Sequence, residues 1–181
     1  YYSVNTAETD NRTVNGVADV KSNINNDGAT GAGAVAVGSY TKATGNYSSA
    51  IGRDVIVSGA NSVGIGTNVA VSNHSAVAIG LEANSTHARG IAVGYKVNTN
   101  ESDTFAGGSN VTVTGYGSVG IGKNVETRAN DAVGIGSGTN ALGNQSIALG
   151  NAAYTGYTET KTIANPPADG PTTEKVYKGA T

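Results

Sequence analysis

A glycine returns every fourteen residues along this chain: Gly38, Gly52, Gly66, Gly80, Gly94, Gly108, Gly122, Gly136 and Gly150, with no insertion between copies. Before each stands Val37, Ile51, Ile65, Ile79, Val93, Gly107, Ile121, Ile135 or Leu149, aliphatic in eight of nine copies. Three before the glycine come Val35, Ser49, Val63, Val77, Ile91, Phe105, Val119, Val133 and Ile147. Between those two columns every copy has Ala or Gly. A fixed period of this kind is the mark of one small unit stacked on copies of itself.

Fourteen is two heptads, so a coiled coil is the first fold to test. It fails, because a glycine in every second heptad costs a helix about 1 kcal/mol each time. The apolar residues also recur at a spacing of two, the strand period. After each glycine a second alternation follows, as in Val55 with Val57, Val69 with Val71, Val111 with Val113, and Val125 with Thr127. Turn residues such as Thr44-Gly45-Asn46 and Ser58-Gly59-Ala60 separate the two alternations. Each repeat therefore predicts two short strands and two tight turns.

Such a coil is too short for the three-sided helix of the hexapeptide acyltransferases, which takes about eighteen residues per turn. The expectation is a flat, two-sheet parallel roll. Coils stacked at the strand spacing of about 4.8 Å make a rod of roughly 38 Å. Composition agrees, with 27 Gly, one Phe, three Leu, and neither Met nor Trp. Val, Ile and Ala suit closely spaced strands better than a thick core. In-register stacking predicts ladders of Val and Ile inside and a column of closing glycines at a bend needing positive φ or close approach.

The small middle residue then points the other way. Small side chains there can simply relieve crowding, or they can let this face pack closely on another surface. The second reading makes Ala36, Ala50, Gly64, Ala78, Ala92, Ala106, Gly120, Gly134 and Ala148 an interface between identical rolls. A single thin roll buries little apolar area against the chain entropy it must offset, so an oligomer is expected.

Few residues offer chemistry. His74 and His87 fall at different positions of neighbouring repeats and read as exposed turn residues rather than a metal pair. Glu101 and Asp103 share one solvated turn. Calcium-binding glycine-rich repeats need an Asp in each turn, and these turns lack it. Gly136–Gly143, GSGTNALG, lacks the Lys-Ser/Thr ending of a phosphate loop. The sequons at Asn73-His74-Ser75 and Asn84-Ser85-Thr86 are what chance gives in a chain rich in Asn and Ser. Neither catalysis nor a cofactor is expected. A formal net charge of −2 gives no electrostatic case for nucleic acid or an anionic membrane. The absence of Cys excludes disulfide and thiolate-metal scaffolds. No run of about 18 apolar residues exists to span a bilayer as a helix.

What remains is surface. Tyr40, Tyr47, Arg53, Arg89, Tyr95, Lys96 and Tyr116 fall in turns or at outer positions and are the candidate ligand contacts. Tyrosine combines a large contact area with a polar tip. A repetitive, neutral set of this kind suits shallow, multivalent contact with an extended ligand.

NSVGIG at Asn61–Gly66, SAVAIG at Ser75–Gly80 and QSIALG at Gln145–Gly150 resemble the NSVAIG-type repeats of trimeric autotransporter adhesin heads, the YadA-like family. The likeness covers about Ala34 to Ala153. It implies a left-handed parallel β-roll of about nine 14-residue coils, assembled as a homotrimer. It implies display on the surface of a Gram-negative bacterium, anchored in the outer membrane by a C-terminal region absent here, with no direct membrane contact by the head. The implied partners are host matrix proteins of the collagen, fibronectin or laminin class, host cell receptors, or other bacterial cells. Asn61, Ser62, Val63, Gly64, Ile65 and Gly66 match the motif associated with collagen, with Gly64 where the family has Ala. Phe105-Ala106-Gly107 departs from the pattern as a volume exchange inside one coil, and Ser49 interrupts the Val column. A family-type neck is not found. The other classes weighed are an ice-binding solenoid, which needs aligned Thr-x-Thr, a phage fibre segment, and a solenoid enzyme, which needs carboxylates in adjacent coils.

Three segments are expected. Residues 1–33 form an irregular cap, in which Val14, Val17 and Val20 make a helical turn or loose coil. Residues 34–153 form the roll. Residues 154–181 add a last strand in TGYTETKTI, then a Pro/Gly linker, and EKVYKGAT opens a further segment toward a neck or stalk. The opening YYSVNT, with no initiator Met and no apolar leader, reads as the start of a processed or excised piece.

Overall fold

The computed structural model describes residues 28–156 throughout, and beyond them the strands Thr158–Thr162 and Thr173–Tyr177. Val14, Val17 and Val20 lie outside the described residues. Among those described there is no helix. Thirteen strands form a continuous parallel sheet that winds through about nine coils of fourteen residues.

Neighbouring coils stack like on like. Ile51 pairs with Ile65, Gly52 with Gly66, Val55 with Val69 and Val57 with Val71. Long strands such as Ser49–Val57 and Val63–Val71 run through the closing glycine and bend there. Gly66 takes a φ of 137°, and a Cβ on it would stand 1.8 Å from the Gly80 carbonyl oxygen. Conformation and space together demand glycine at this bend.

Two further corners close each coil, and they come every seven residues. Asp54, Asn61, Asn68, Ser75, Glu82, Arg89, Lys96 and Asp103 all have φ between 52° and 60°. Asn and Asp enter this left-handed region most readily, and other non-glycine residues do so at a cost of order 1–3 kcal/mol. A coil-to-coil hydrogen bond offsets it: Asn61 N–H donates to Asn46 O at 2.9 Å, and Asp131 N–H to Tyr116 O at 2.8 Å.

The corners set which side chains point inward, and here the structure exchanges the two faces expected from the sequence. Ala36, Ala50, Gly64, Ala78, Ala92, Ala106, Gly120, Gly134 and Ala148 are buried inside the single chain and are not an exposed face. They pack against Val55, Val57, Val69, Val71, Val97, Val111, Val113 and Val125 of the opposite sheet. The Val and Ile of the glycine-closed strands point outward, with Ile51, Ile79, Ile91, Val93 and Ile121 all exposed. The reason is thickness. A Cβ on Gly64 would already stand 2.6 Å from Val57 Cγ2, so at this position even Ala requires the Val pair to shift, and a larger side chain requires more.

The interior is also polar at regular places. Ser62 Oγ donates to Asn73 O at 2.8 Å and accepts from Ala76 N–H at 3.1 Å. Ser118 does the same with Ala129 O at 2.6 Å and Ala132 N–H at 3.1 Å. Buried Thr99 donates to Ser85 Oγ at 2.9 Å, and Ser85 donates to Gly90 O at 3.0 Å. Gly90 leaves the room they need, since a Cβ there would meet both hydroxyls within 2.8 Å.

The volume exchange expected at Phe105 and Gly107 also lies on the outer face, not inside. A Cβ on Gly107 would stand 3.1 Å from Phe105 Cε1, so the ring leans over the position where other coils carry Ile.

Both ends of the repeat reach beyond the expected limits of 34 and 153. Ala29 bridges Ala43 in parallel, and Tyr154–Thr155 pairs with Asn140–Ala141. The last strand expected in TGYTETKTI is present as Thr158–Thr162. Its partner is Thr173–Tyr177, antiparallel, with Thr158 opposite Tyr177 and Thr162 opposite Thr173. The strand Thr173–Tyr177, which contains EKVY, thus pairs in a two-stranded sheet apart from the roll.

Candidate functional site

The coil geometry gives the roll four long surfaces, each one a set of columns with a fourteen-residue repeat. The first is the outer face of the glycine-closed sheet. It carries two aliphatic columns, one through Val63, Val77 and Ile91 and one through Ile65, Ile79 and Val93. Exposure is 38% at Ile121 and 70% at Ile147 and Leu149, which stand on the last such rung. This face runs across nine strands, interrupted at Ser49 and Gly107, and exceeds the scattered apolar residues normal on a monomer.

The opposite sheet presents one outward column: Lys42, Ile56, Ala70, Asn84, Asn98, Thr112, Glu126, Asn140 and Tyr154. Asn84 and Asn98 join side chain to side chain at 3.0 Å. The column mixes charge, amide and ring, and Thr112 stands alone in it, so it offers no flat hydroxyl array of the ice-binding kind.

The candidate ligand contacts divide between the two edges. Tyr40, Arg53, Tyr95 and Lys96 fall on the edge that follows the closing glycine, and Tyr47, Arg89 and Tyr116 on the other. All seven are exposed, and among the four tyrosines Tyr47 is the most so, at 69%. The structure does not gather them into one patch. It makes two local clusters instead.

On the first edge, Lys96 Nζ lies 5.3 Å from the centre of its neighbour's ring, Tyr95, and 3.9 Å from Glu82 on the preceding coil. The Tyr95 hydroxyl and then the Glu82 charge raise the Lys96 pKa. Arg53 lies 3.8 Å from Asp54.

On the second edge, Arg89 grips Asp103 of the next coil with two nitrogens, Nη2 reaching Oδ2 at 2.7 Å. Tyr116 of the following coil hydrogen-bonds the same carboxylate. The hydrogen bond from Arg89 holds the Asp103 carboxyl below the usual carboxylate range, and the hydrogen bond to Asp103 pushes the Tyr116 phenol up. Three coils are clasped by one exposed network. In the sequence Asp103 stands as a plain solvated turn residue, and its partners fourteen and thirteen positions away are the signal of its role.

His74 and His87 are engaged locally, His74 Nδ1 with Asn73 Oδ1 at 2.9 Å and His87 Nδ1 with Thr86 Oγ1 at 3.0 Å. Among the described residues no group of His, Asp and Glu is placed to hold a metal. No helix among them is long and apolar enough to cross a membrane.

The motif Asn61–Gly66 is used mainly to build the coil. Asn61 makes a corner, Ser62 and Gly64 are interior, and Gly66 makes the bend. Only Asn61, Val63 and Ile65 present side chains outward. The aliphatic surface is not legible as a surface in the sequence, whose alternation suits an interior ladder equally well.

A family model described as the YadA head domain repeat, a unit of two copies, matches residues 29–54, 72–96 and 129–153. Its first match begins at Ala29, which bridges Ala43 in parallel. No curated protein matches the chain significantly.

Proposed function

Since this chain is a YadA-like trimeric autotransporter adhesin head domain, we propose that it attaches a bacterium to host matrix proteins, host cells or other bacteria through many shallow contacts. Three copies close around an axis with their Val-x-Ile faces inward, and a C-terminal region absent here anchors the assembly in the outer membrane. The two turn edges, with Tyr47, Tyr95, Arg89 and Lys96, then remain outward as contact surface.

The observation that carries this reading is the pairing of an aliphatic face with polar, ring-bearing edges on one rigid ladder. The apolar face suits burial against identical copies, which removes about 25 cal/mol of unfavourable hydration per Å². The edges repeat their geometry every coil, so an extended ligand meets equivalent contacts along the rod. Weak contacts held at fixed spacing gain by effective concentration, and linked sites exceed single affinities by 10²–10⁴.

The test is binding of the chain to collagen, fibronectin, laminin, epithelial cells and bacteria, once free in solution and once at high density on beads. Attachment is expected on beads to at least one of these, with little retention of the free protein. No attachment in either format overturns the reading.

A further inference from the structure

We propose that the Phe105–Gly107 coil and Ser49 fix the axial register of the chains when their aliphatic faces meet. The inference rests on the trimeric reading above and concerns how the copies are aligned, not whether they associate.

A ladder of nearly uniform rungs is degenerate. Val and Ile recur in both outer columns, so over most of the ladder a copy displaced by one coil still sets aliphatic against aliphatic. Apolar attraction is non-directional and does little to oppose such a slip. The fold therefore needs marked rungs if the copies are to stand level.

Two rungs are marked. In the first column Phe105 stands between Ile91 and Val119, and in the second Gly107 stands between Val93 and Ile121. The Phe105 ring spans both columns, since Cε1 and Cζ would lie 3.1 and 3.5 Å from a Cβ on Gly107. One flat ring thus replaces two branched side chains, and it remains 36% exposed on the single chain. Four coils away in the first column stands Ser49, partly exposed, the polar member of an otherwise apolar ladder.

With the copies level, ring meets ring at one height and hydroxyl meets hydroxyl at another, where the hydroxyls can pair with each other. A slip of one coil sets the ring against branched chains and the hydroxyls against aliphatic neighbours. A slip of four coils sets Ser49 against Phe105. A polar group buried in an apolar seam is the device that fixes register in coiled coils, because only one alignment satisfies it. A shape mismatch adds to it, since packed interfaces tolerate volume errors poorly.

The experiment uses the full chain, whose lack of cysteine leaves engineered thiols unopposed. Chains carrying Ile65→Cys are mixed with chains carrying Ile79→Cys and co-refolded. Disulfides 65–65 and 79–79 report level copies, and 65–79 reports a slip of one coil. The same mixture is prepared with Ser49→Val, Phe105→Val and Gly107→Ile added, which makes every rung alike. Sedimentation equilibrium is run on both.

The expected result is trimer in both backgrounds, with the ratio of offset to level links rising about tenfold in the uniform one. An unchanged ratio in a uniform trimer overturns the proposal. A uniform chain that no longer associates also overturns it, since the marked rungs would then supply affinity and not alignment. If the unmodified chain itself is monomeric, the trimeric reading fails and this inference falls with it.

Discussion

Gly64 faces Val57 across the roll so closely that a Cβ on the glycine would stand 2.6 Å from Val57 Cγ2 and 3.0 Å from Val55 Cγ1. The contact fixes the inside of the molecule. One sheet supplies the Val pair, and the other supplies Ser, Ala or Gly to meet it.

Gly64→Val should therefore overpack the interior and cost about 1–3 kcal/mol. At roughly 2–4 °C per kcal/mol for a chain of this size, a thermal melt should fall by several degrees. Ile65→Val, on the outward side of the same strand, should shift the melt of the unassociated chain far less. A Gly64→Val chain as stable as the parent would show that the small residue does not face the Val pair.

The outward aliphatic columns lead to the opposite behaviour. Ile79→Asp with Ile121→Asp puts two charges on a face that the single chain leaves half open. The far-UV circular dichroism should stay that of a β-roll, while sedimentation equilibrium shows monomer where the parent shows trimer. A charge buried at an interface without a partner costs several kcal/mol, enough to disfavour assembly. Persistence of the trimer in this variant would move the interface to another surface.

The closing glycines are not all equally irreplaceable. A Cβ on Gly66 would stand 1.8 Å from the Gly80 carbonyl oxygen, whereas none of the described residues lies within 4 Å of one on Gly150. Both residues have φ in the region that L side chains avoid, 137° and 126°. Gly150→Ala should carry only the conformational cost, of order 1–3 kcal/mol. Gly66→Ala adds a backbone collision that parts two coils, so it should unfold at markedly lower denaturant. Comparing the two urea midpoints separates strain from collision.

The clasp of Arg89, Asp103 and Tyr116 makes a pH prediction with two limits. The Asp103 carboxyl is lowered by the hydrogen bond from Arg89, so its contribution is full above the unfolded value of about 3.9. That contribution is lost as pH falls through the lower folded value. The Tyr116 phenol is raised by the hydrogen bond to Asp103, so its contribution is full below the unfolded value of about 10 and is lost as pH rises through the higher folded value. Carboxyl shifts followed by NMR should place Asp103 below the ordinary carboxylate range. An ultraviolet titration should show late ionisation of Tyr116, which Asp103→Asn returns toward the ordinary range. An unchanged late tyrosine in Asp103→Asn would mean that another group raises it.

By itself the sequence determined the unit and its repetition. Gly38 to Gly150 at intervals of fourteen fixed the coil length and the number of coils, because each coil must bend at the same place for its backbone to pair with the next. The alternations around Val63 and Val69 determined that each coil holds two strand segments, since side chains in a strand alternate between faces. Alternation does not say which face is inner, and the aliphatic columns were assigned to the wrong one. A phase signal was present in Asn61 and Asn68, seven apart, each a left-handed corner followed by an inward residue, Ser62 and Val69. Corners held also by Arg89, Lys96 and Glu82 hide that signal, because such residues take a positive φ only when coil-to-coil hydrogen bonds hold them there. Tertiary structure alone decided the rest: the gap between two faces joined by corners seven residues apart admits Val opposite Ala or Gly but not Val opposite Ile, so the larger side chains are turned outward.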